Sequence, residues 1–387
     1  MTNFRKMMLT AIIIAVILVI GISLVQVGGD GSVSATTSLQ APDVDLDLFA
    51  KADAPYDWNF PEDFGAHPDY LTEWWYYTGN VATADGRRFG YQFTIFRRAI
   101  NPITTESDSE WRTNQVYLAH FTVSDIAENE FYHDERFSRS SAGLAGAVTD
   151  PVYRVWVEDW EILAQNDEAS LVTIQAVTED FSIDLQLEQL KPVALQGDNG
   201  LSPKSSDGDN ASYYYTLSRL ETIGTITIHD ETFDVTGNTW RDHEFSTSAL
   251  EEGTRGWDWF GLIFDNDTEM MLFDIRGEDN ETIAFSSGLI IYPDGTTEYI
   301  SLDDFTITRT DTWTSPHTGA DYPSGWDIQV TTSRETLNFS VTPLMRDQEL
   351  AETDPSYWEG AVQVFGDVTG YGYAELTGYT ESMQNRF

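Results

Sequence analysis

Four ionisable residues stand in a row in Gly237-Asn238-Thr239-Trp240-Arg241-Asp242-His243-Glu244-Phe245, bracketed by Trp240 and Phe245. In an extended chain successive side chains alternate, so Arg241, His243 and Phe245 share one face and Trp240, Asp242 and Glu244 the other. A histidine flanked by carboxylates can hold a raised pKa and act as a base or proton relay. The other reading of the segment is a salt-bridged strand end bracing two domains. Asp274 is the second candidate. In Met270-Met271-Leu272-Phe273-Asp274-Ile275-Arg276 it shares a face with Met270, Leu272 and Arg276. A carboxyl facing an apolar cavity resists ionising and can serve as an acid. Its alternative is an ion pair with Arg276 or Arg241. His120, within an alternating run, reads as a satisfied core histidine, and Glu73 beside Trp74 is open between site and structure.

Other chemistries lack their residues. The chain has no cysteine, so disulfides, thiolate nucleophiles and thiolate metal sites are excluded. No HExxH motif, EF-hand spacing, nucleophile elbow, Walker loop or Rossmann fingerprint is present. Neither a metal nor a cofactor is expected. With 64 acidic residues against 21 basic ones, the formal charge is -43. Such a surface repels phosphate backbones and argues against nucleic acid as a partner. It suits an acidic shell in a high-salt environment, where repulsion is screened.

The elements that must position these residues are strands. Two aromatic passages follow the same plan. Glu73-Trp74-Trp75-Tyr76-Tyr77 leads through Asp85-Gly86 to Phe89–Arg98, and Trp257-Asp258-Trp259-Phe260 leads through Asp265-Asn266-Asp267 to Met270–Arg276. A repeat on the scale of a whole domain predicts two related β-domains in tandem, each a barrel around an apolar cavity. Alternating runs such as Gln115–Val123 and frequent turn signals predict an all-β chain. Ser212–Leu220, Thr222–Ile228 and Thr232–Val235 read as separate short strands. The loop from Lys191 to Asn210 reads as a surface excursion or a lid over a barrel mouth.

Arg5 and Lys6 precede an apolar run from Met7 to about Val27, the pattern of an export segment long enough to span a bilayer. Val33-Ser34-Ala35 offers a cleavage site, so a cleaved signal and a retained membrane anchor are both open. Either places the rest of the chain outside the cytoplasm. The expected division is 1–40 for this segment and its tether, 41–245 for the first barrel and 246–387 for the second.

Several passages in order carry a resemblance: Glu73–Gly79, Tyr213-Tyr214-Tyr215, Trp240–Phe245, Gly256–Phe260 and Tyr357–Val362. Together they resemble the lipocalin-like family that joins carotenoid 1,2-hydratases to the secreted AttH-like proteins. The resemblance implies two tandem lipocalin-like (calycin) β-barrels. It also implies a terpenoid or lipid-like ligand, and hydration of a C=C bond without a cofactor. The suspected catalytic groups of the hydratases match Asp242 and His243 here, with Asp274 as the downstream aspartate. The chain departs from the pigment enzymes at Phe245 and Leu272-Phe273. In this reading Asp274 donates the proton and His243, oriented by Asp242 or Glu244, accepts one from water. Trp75, Tyr77, Trp240, Phe245, Trp257, Trp259, Phe260 and Phe273 line the cavity, which requires His243 and Asp274 to face one space. A carrier of hydrophobic ligands, or an accessory to an envelope transporter, is the alternative.

Overall fold

The computed structural model describes residues 45–101, 109, 111–205, 210–247, 250, 253–279 and 281–383. The expected export segment and cleavage site lie outside them. Among the described residues there is no α-helix, only three single turns of 3-10 helix, and none is long and apolar enough to cross a membrane.

Two antiparallel sheets account for the rest. The first contains β1 (Thr72–Ala82), β2 (Arg88–Ala99), β3 (Gln115–Asp125), β4 (Glu130–Arg139), β5 (Ala145–Val148), β6 (Arg154–Val157) and β7 (Trp160–Ala164). It continues with β8 (Leu171–Val177), β9 (Phe181–Gln189), β10 (Ala194–Leu195), β11 (Leu201–Pro203), β12 (Ala211–Ile228) and β13 (Glu231–Ser246). The second contains β14 (Thr254–Phe264), β15 (Glu269–Gly277), β16 (Ser287–Ile291), β17 (Thr297–Ile300) and β18 (Phe305–Thr314). It ends with β19 (Asp321–Thr331), β20 (Thr336–Pro343), β21 (Glu349–Leu350), β22 (Tyr357–Gly366) and β23 (Gly370–Leu376). The first sheet curls into a nearly closed barrel and the second into a half-barrel, consistent with two lipocalin-like barrels. The expected short strands at 212–228 are one strand, β12, with an irregularity between Leu217 and Leu220.

The two aromatic passages take equivalent places. β1 lies between β2 and the last strand of its sheet, β13, while β14 lies between β15 and β23. In each hairpin an arginine on the second strand reaches a carboxylate on the first. Arg97 Nε lies 2.7 Å from Glu73 Oε2, and Arg276 Nε 3.0 Å from Asp258 Oδ1. The sequence repeat is therefore a structural repeat.

The barrel interiors are filled by side chains. Trp75, Tyr77, Tyr91, Phe93 and Trp160 pack inside the first, and Phe260, Leu272, Trp326 and Trp358 inside the second. A third apolar cluster, including Tyr76, Tyr214, Trp240, Trp259 and Phe273, lies where the outer faces of the two sheets meet. Gly90 permits this close approach: a Cβ there would stand 2.7 Å from Ala361 Cβ and 2.9 Å from the Tyr373 hydroxyl. Tyr76 Oη donates to Glu359 Oε1 at 2.6 Å across the seam, and His120 Nδ1 meets Tyr357 Oη at 2.7 Å.

Candidate functional site

Strand alternation divides Trp240–Phe245 as its sequence requires. Asp242 and Glu244 face the seam between the sheets, while Arg241 and His243 face the first barrel. At the seam an aromatic cleft opens, lined by Trp74, Tyr76, Phe96, Tyr214, Trp257, Trp259, Phe273 and Tyr357. Its polar groups are Asp242, Glu244, Glu375 and Lys204, with Leu250 and Ile275 completing the wall. The cleft holds about 830 Å³ of empty space counting its open mouth. It is a narrow apolar slot.

Asp242 is buried and heavily hydrogen-bonded. Its Oδ1 accepts from Thr216 Oγ1 at 2.5 Å and Trp240 Nε1 at 2.8 Å, and its Oδ2 accepts from Tyr214 Oη at 2.5 Å. Burial nonetheless outweighs these donors and pushes its carboxyl up to about 7, with Glu244 adding repulsion. Trp259 Nε1 donates to Tyr214 Oη at 3.2 Å, which ties the second sheet to this pair. Glu375, on β23 of the opposite sheet, is also buried and pushed up to about 7 by desolvation. Trp257 Nε1 donates to its Oε2 at 2.7 Å and partly offsets that rise. Near the same seam Glu359 is held well above the usual carboxylate range by burial and by Glu375. Lys204 balances the acidic group at the rim. Its Nζ is 3.2 Å from Glu244 Oε1 and 4.4 Å from the Phe273 ring centre. The loop read as a surface excursion or lid thus contributes a residue to the cleft, between the barrels rather than over a barrel mouth.

The second cluster lies on the barrel-1 side of β13. Glu73 Oε1 receives His67 Nδ1 at 2.7 Å and His243 Nε2 at 2.8 Å. Tyr215 Oη is 2.6 Å from His243 Nδ1, and Asp63 Oδ1 is 3.3 Å from His67 Nε2. Desolvation draws His243 down to about 4, whereas Glu73 and Asp63 overcome burial to raise His67 to about 9. Glu73 itself is lowered well below the ordinary range by Arg97 and His67, against its burial. His67, Glu73 and His243 present ligand atoms within 4.8 Å of one another, the one group of described residues that could hold a metal ion. Their hydrogen bonds to one another, to Arg97 and to Tyr215 already satisfy them, with the proton of His67 supplying a positive charge.

Several expected placements need correction. His243 and Asp274 do not face one space. Asp274 shares its strand face with Leu272, in the core of the second barrel, and its Oδ2 pairs with Arg309 at 2.9 Å. Its carboxyl is raised by burial and by Asp258. An acid–base relay from Asp274 to His243 is therefore not formed. Trp75, Tyr77 and Phe260 belong to the filled barrel interiors. Phe245 stacks on His67 with ring centres 3.6 Å apart, away from the cleft. Trp240 backs the cleft through its bond to Asp242. Asp242, Glu244, Trp257, Trp259 and Phe273 stand in the wall of the seam cleft, outside the barrel interiors where the ligand was expected. Sequence reasoning missed Tyr214, Glu375, Lys204, Trp74 and Tyr76. For Trp74 and Tyr76 a signal was present: Trp74-Trp75-Tyr76-Tyr77 is aromatic on both strand faces, which requires cover on both sides.

Two lipocalin-like barrels joined back to back around an aromatic, carboxyl-bearing cleft define the class of protein. The model of the AttH-like family matches residues 51–379, and the chain belongs to that family. A crystal structure assigned as AttH from Nitrosomonas europaea is 33% identical, with a TM-score of 0.75 over 86% of this chain and 100% of that one. Kievitone hydratase from Nectria haematococca shares the fold at 13% identity and a TM-score of 0.63, over 89% of this chain and 98% of that one. CghA, solved with Sch210972, shares it at 10% identity and a TM-score of 0.51, over 89% and 98% of the two chains. No curated protein matches the sequence.

Proposed function

We propose that the seam cleft binds a slender hydrophobic ligand of terpenoid or lipid type and adds water across a C=C bond. One observation carries this reading. Two carboxyls, Asp242 and Glu375, reach one aromatic slot from opposite sheets, and burial brings both close to neutrality in pKa. Around pH 7 each is part protonated, so one can give a proton while the other takes one.

In the forward direction Asp242 is the acid. Tyr214 Oη donates to the ionised Asp242; protonation of Asp242 reverses that bond, so that its hydroxyl donates to Tyr214 Oη and the phenol O–H is freed for the slot. The phenol proton moves to one alkene carbon and is replaced from Asp242. The π pair becomes the new C–H bond, and the other carbon becomes a tertiary cation. The faces of Trp74, Trp257, Trp259 and Phe273 surround the cation. Water attacks it through oxygen, and the surplus proton passes to ionised Glu375. The product is the tertiary alcohol, and proton exchange with solvent resets the pair. No redox step is required.

The AttH-like family and the hydratase with the same fold support this reading. The start of the sequence, basic and then apolar, supports export to a site outside the cytoplasm, anchored to the membrane if uncleaved. The test is a panel of acyclic carotenoids and shorter terpenoids, incubated with the protein in high salt and followed by mass spectrometry. A gain of one water that Asp242→Asn and Glu375→Gln both abolish supports hydration. Ligand that binds and leaves unchanged sinks it, and favours a carrier or an accessory to an envelope transporter.

A further inference from the structure

Exposed apolar side chains gather where the chain enters the first barrel. Leu46 and Leu48 are 43% and 58% exposed on the 3-10 turn that opens the described chain. Phe49 beside them packs on Leu71 and Ala99, which sets that turn against the end of β2. Ile100 follows Ala99 and is also exposed. Its N–H donates to Asn114 O at 2.7 Å, and Asn114 Nδ2 donates to Asn101 O at 2.7 Å, which brings the segment of Trp111 to the same end. Trp111 is 66% exposed, the most of any large apolar side chain among the described residues.

Unpaired arginines stand in the same place. Most described lysines and arginines of this acidic chain hold a carboxylate. Arg112, next to Trp111, and Arg139, at the end of β4, are exposed and hold none among the described residues. Arg139 lies opposite Val116 of β3, and Val116 lies opposite Arg98 of β2, two residues before Ile100. The acids flanking Leu46 are engaged. Asp45 accepts from Asp47 N at 3.2 Å, and Asp47 pairs with Lys51 at 2.8 Å. In a chain of net charge -43 this end alone sets free cations beside exposed apolar groups, where the rest of the surface would repel an anionic partner.

We infer that this end of the first barrel docks on a lipid bilayer, with Leu46, Leu48, Ile100 and Trp111 in the headgroup layer and Arg112 and Arg139 on lipid phosphate. Tryptophan and leucine beside arginine suit the boundary between water and acyl chains. The position of the patch in the chain argues for the same partner. The apolar run of the N-terminus ends near Val27, and the described chain begins at Asp45. Where that run is retained as an anchor, a tether of this length spans roughly 23 Å on average and keeps Leu46 near the bilayer. Docking also has a use. Phe96 and Trp74 of the aromatic slot stand one same-face step from Arg98 and Thr72, so the docked end adjoins the slot. A hydrophobic ligand then passes between bilayer and slot with little exposure to water. The docking itself does not depend on hydration in the slot.

The lack of native cysteine opens a direct test. Leu48→Cys, Trp111→Cys and, as a control, Phe365→Cys are each labelled with a fluorophore in the full chain. Phe365 is exposed on the second sheet, at the other end of β22 from the slot residue Tyr357. The labelled chains are reconstituted at fixed high salt in phosphatidylcholine vesicles with a minor share of phosphatidylglycerol, and quenching by spin-labelled lipid is read. Strong quenching at positions 48 and 111, and none at 365, is the expected result. Arg112→Gln combined with Arg139→Gln is expected to lower the docked-to-free ratio at least about fivefold, less than two arginines give at physiological salt. Unchanged thermal unfolding shows that the substitutions leave the fold intact. Equal quenching at all three positions, or none at 48 and 111, overturns the inference. So does a docked-to-free ratio that the paired arginine substitution leaves unchanged.

Discussion

Asp242 and His243 are adjacent in the chain and belong to different sites. Asp242 joins Tyr214, Thr216 and Trp240 at the seam between the barrels, whereas His243 joins Glu73 and Tyr215 on the other side of the same strand. One strand thus separates an acid near neutrality from a histidine held neutral by burial.

Asp242→Asn should abolish hydration while the protein stays folded, because the amide keeps most of the contacts to Thr216 and Trp240. Loss of a positioned acid typically costs about 10²–10⁴ in rate. Product formation by mass spectrometry, with circular dichroism as the folding control, checks it. Activity retained in this variant removes Asp242 from the mechanism.

The same substitution has a pH signature. The Asp242 carboxyl rises from 3.8 to about 7 on folding. The stability it contributes is complete below its unfolded value and is lost as pH climbs through about 7. Asn does not titrate. Urea midpoints of wild type and Asp242→Asn should therefore diverge in favour of the variant between about pH 4 and pH 8. Parallel curves across that range would show that the carboxyl is not raised.

Trp257→Phe removes the N–H that favours ionised Glu375. The Glu375 pKa should rise further, and the Glu375-dependent limb of the pH–rate profile should move to higher pH. An unmoved limb would mean that Glu375 does not govern the rate.

Glu73→Gln should act on stability. Glu73 is buried and holds Arg97, His67 and His243 together. Removing one partner of a buried ion pair costs about 3–5 kcal/mol, visible as a lower urea midpoint. His243→Asn should behave similarly but more mildly, and at temperatures where it is folded it should still hydrate substrate. Loss of chemistry without loss of stability would return His243 to the catalytic group.

The all-β fold and the duplication were legible because both rest on local order. Alternation assigns Asp242 and Glu244 to one face, and Asp274 to the face of Met270 and Leu272, as the structure has them. What alternation leaves open is which face meets the ligand. A barrel invites the assumption that the ligand goes inside, and that placed Asp274, Trp75 and Phe260 at the site. Tyr214 stands in a distinctive run of three tyrosines that says nothing of a partner, and Glu375 lies on a strand with no local peculiarity. Their importance arises only when two distant sheets meet.

The pairs Arg97–Glu73 and Arg276–Asp258 each tie together the two strands of an equivalent hairpin. The two copies keep their cores to themselves and turn their aromatic backs to one another. The acid and the group that answers it then come from different halves, Asp242 from the first and Glu375 from the second. Neither half alone carries the site, so the cleft is a property of the doubling itself. Change in one half can alter what the slot accepts while leaving the partner barrel as it was.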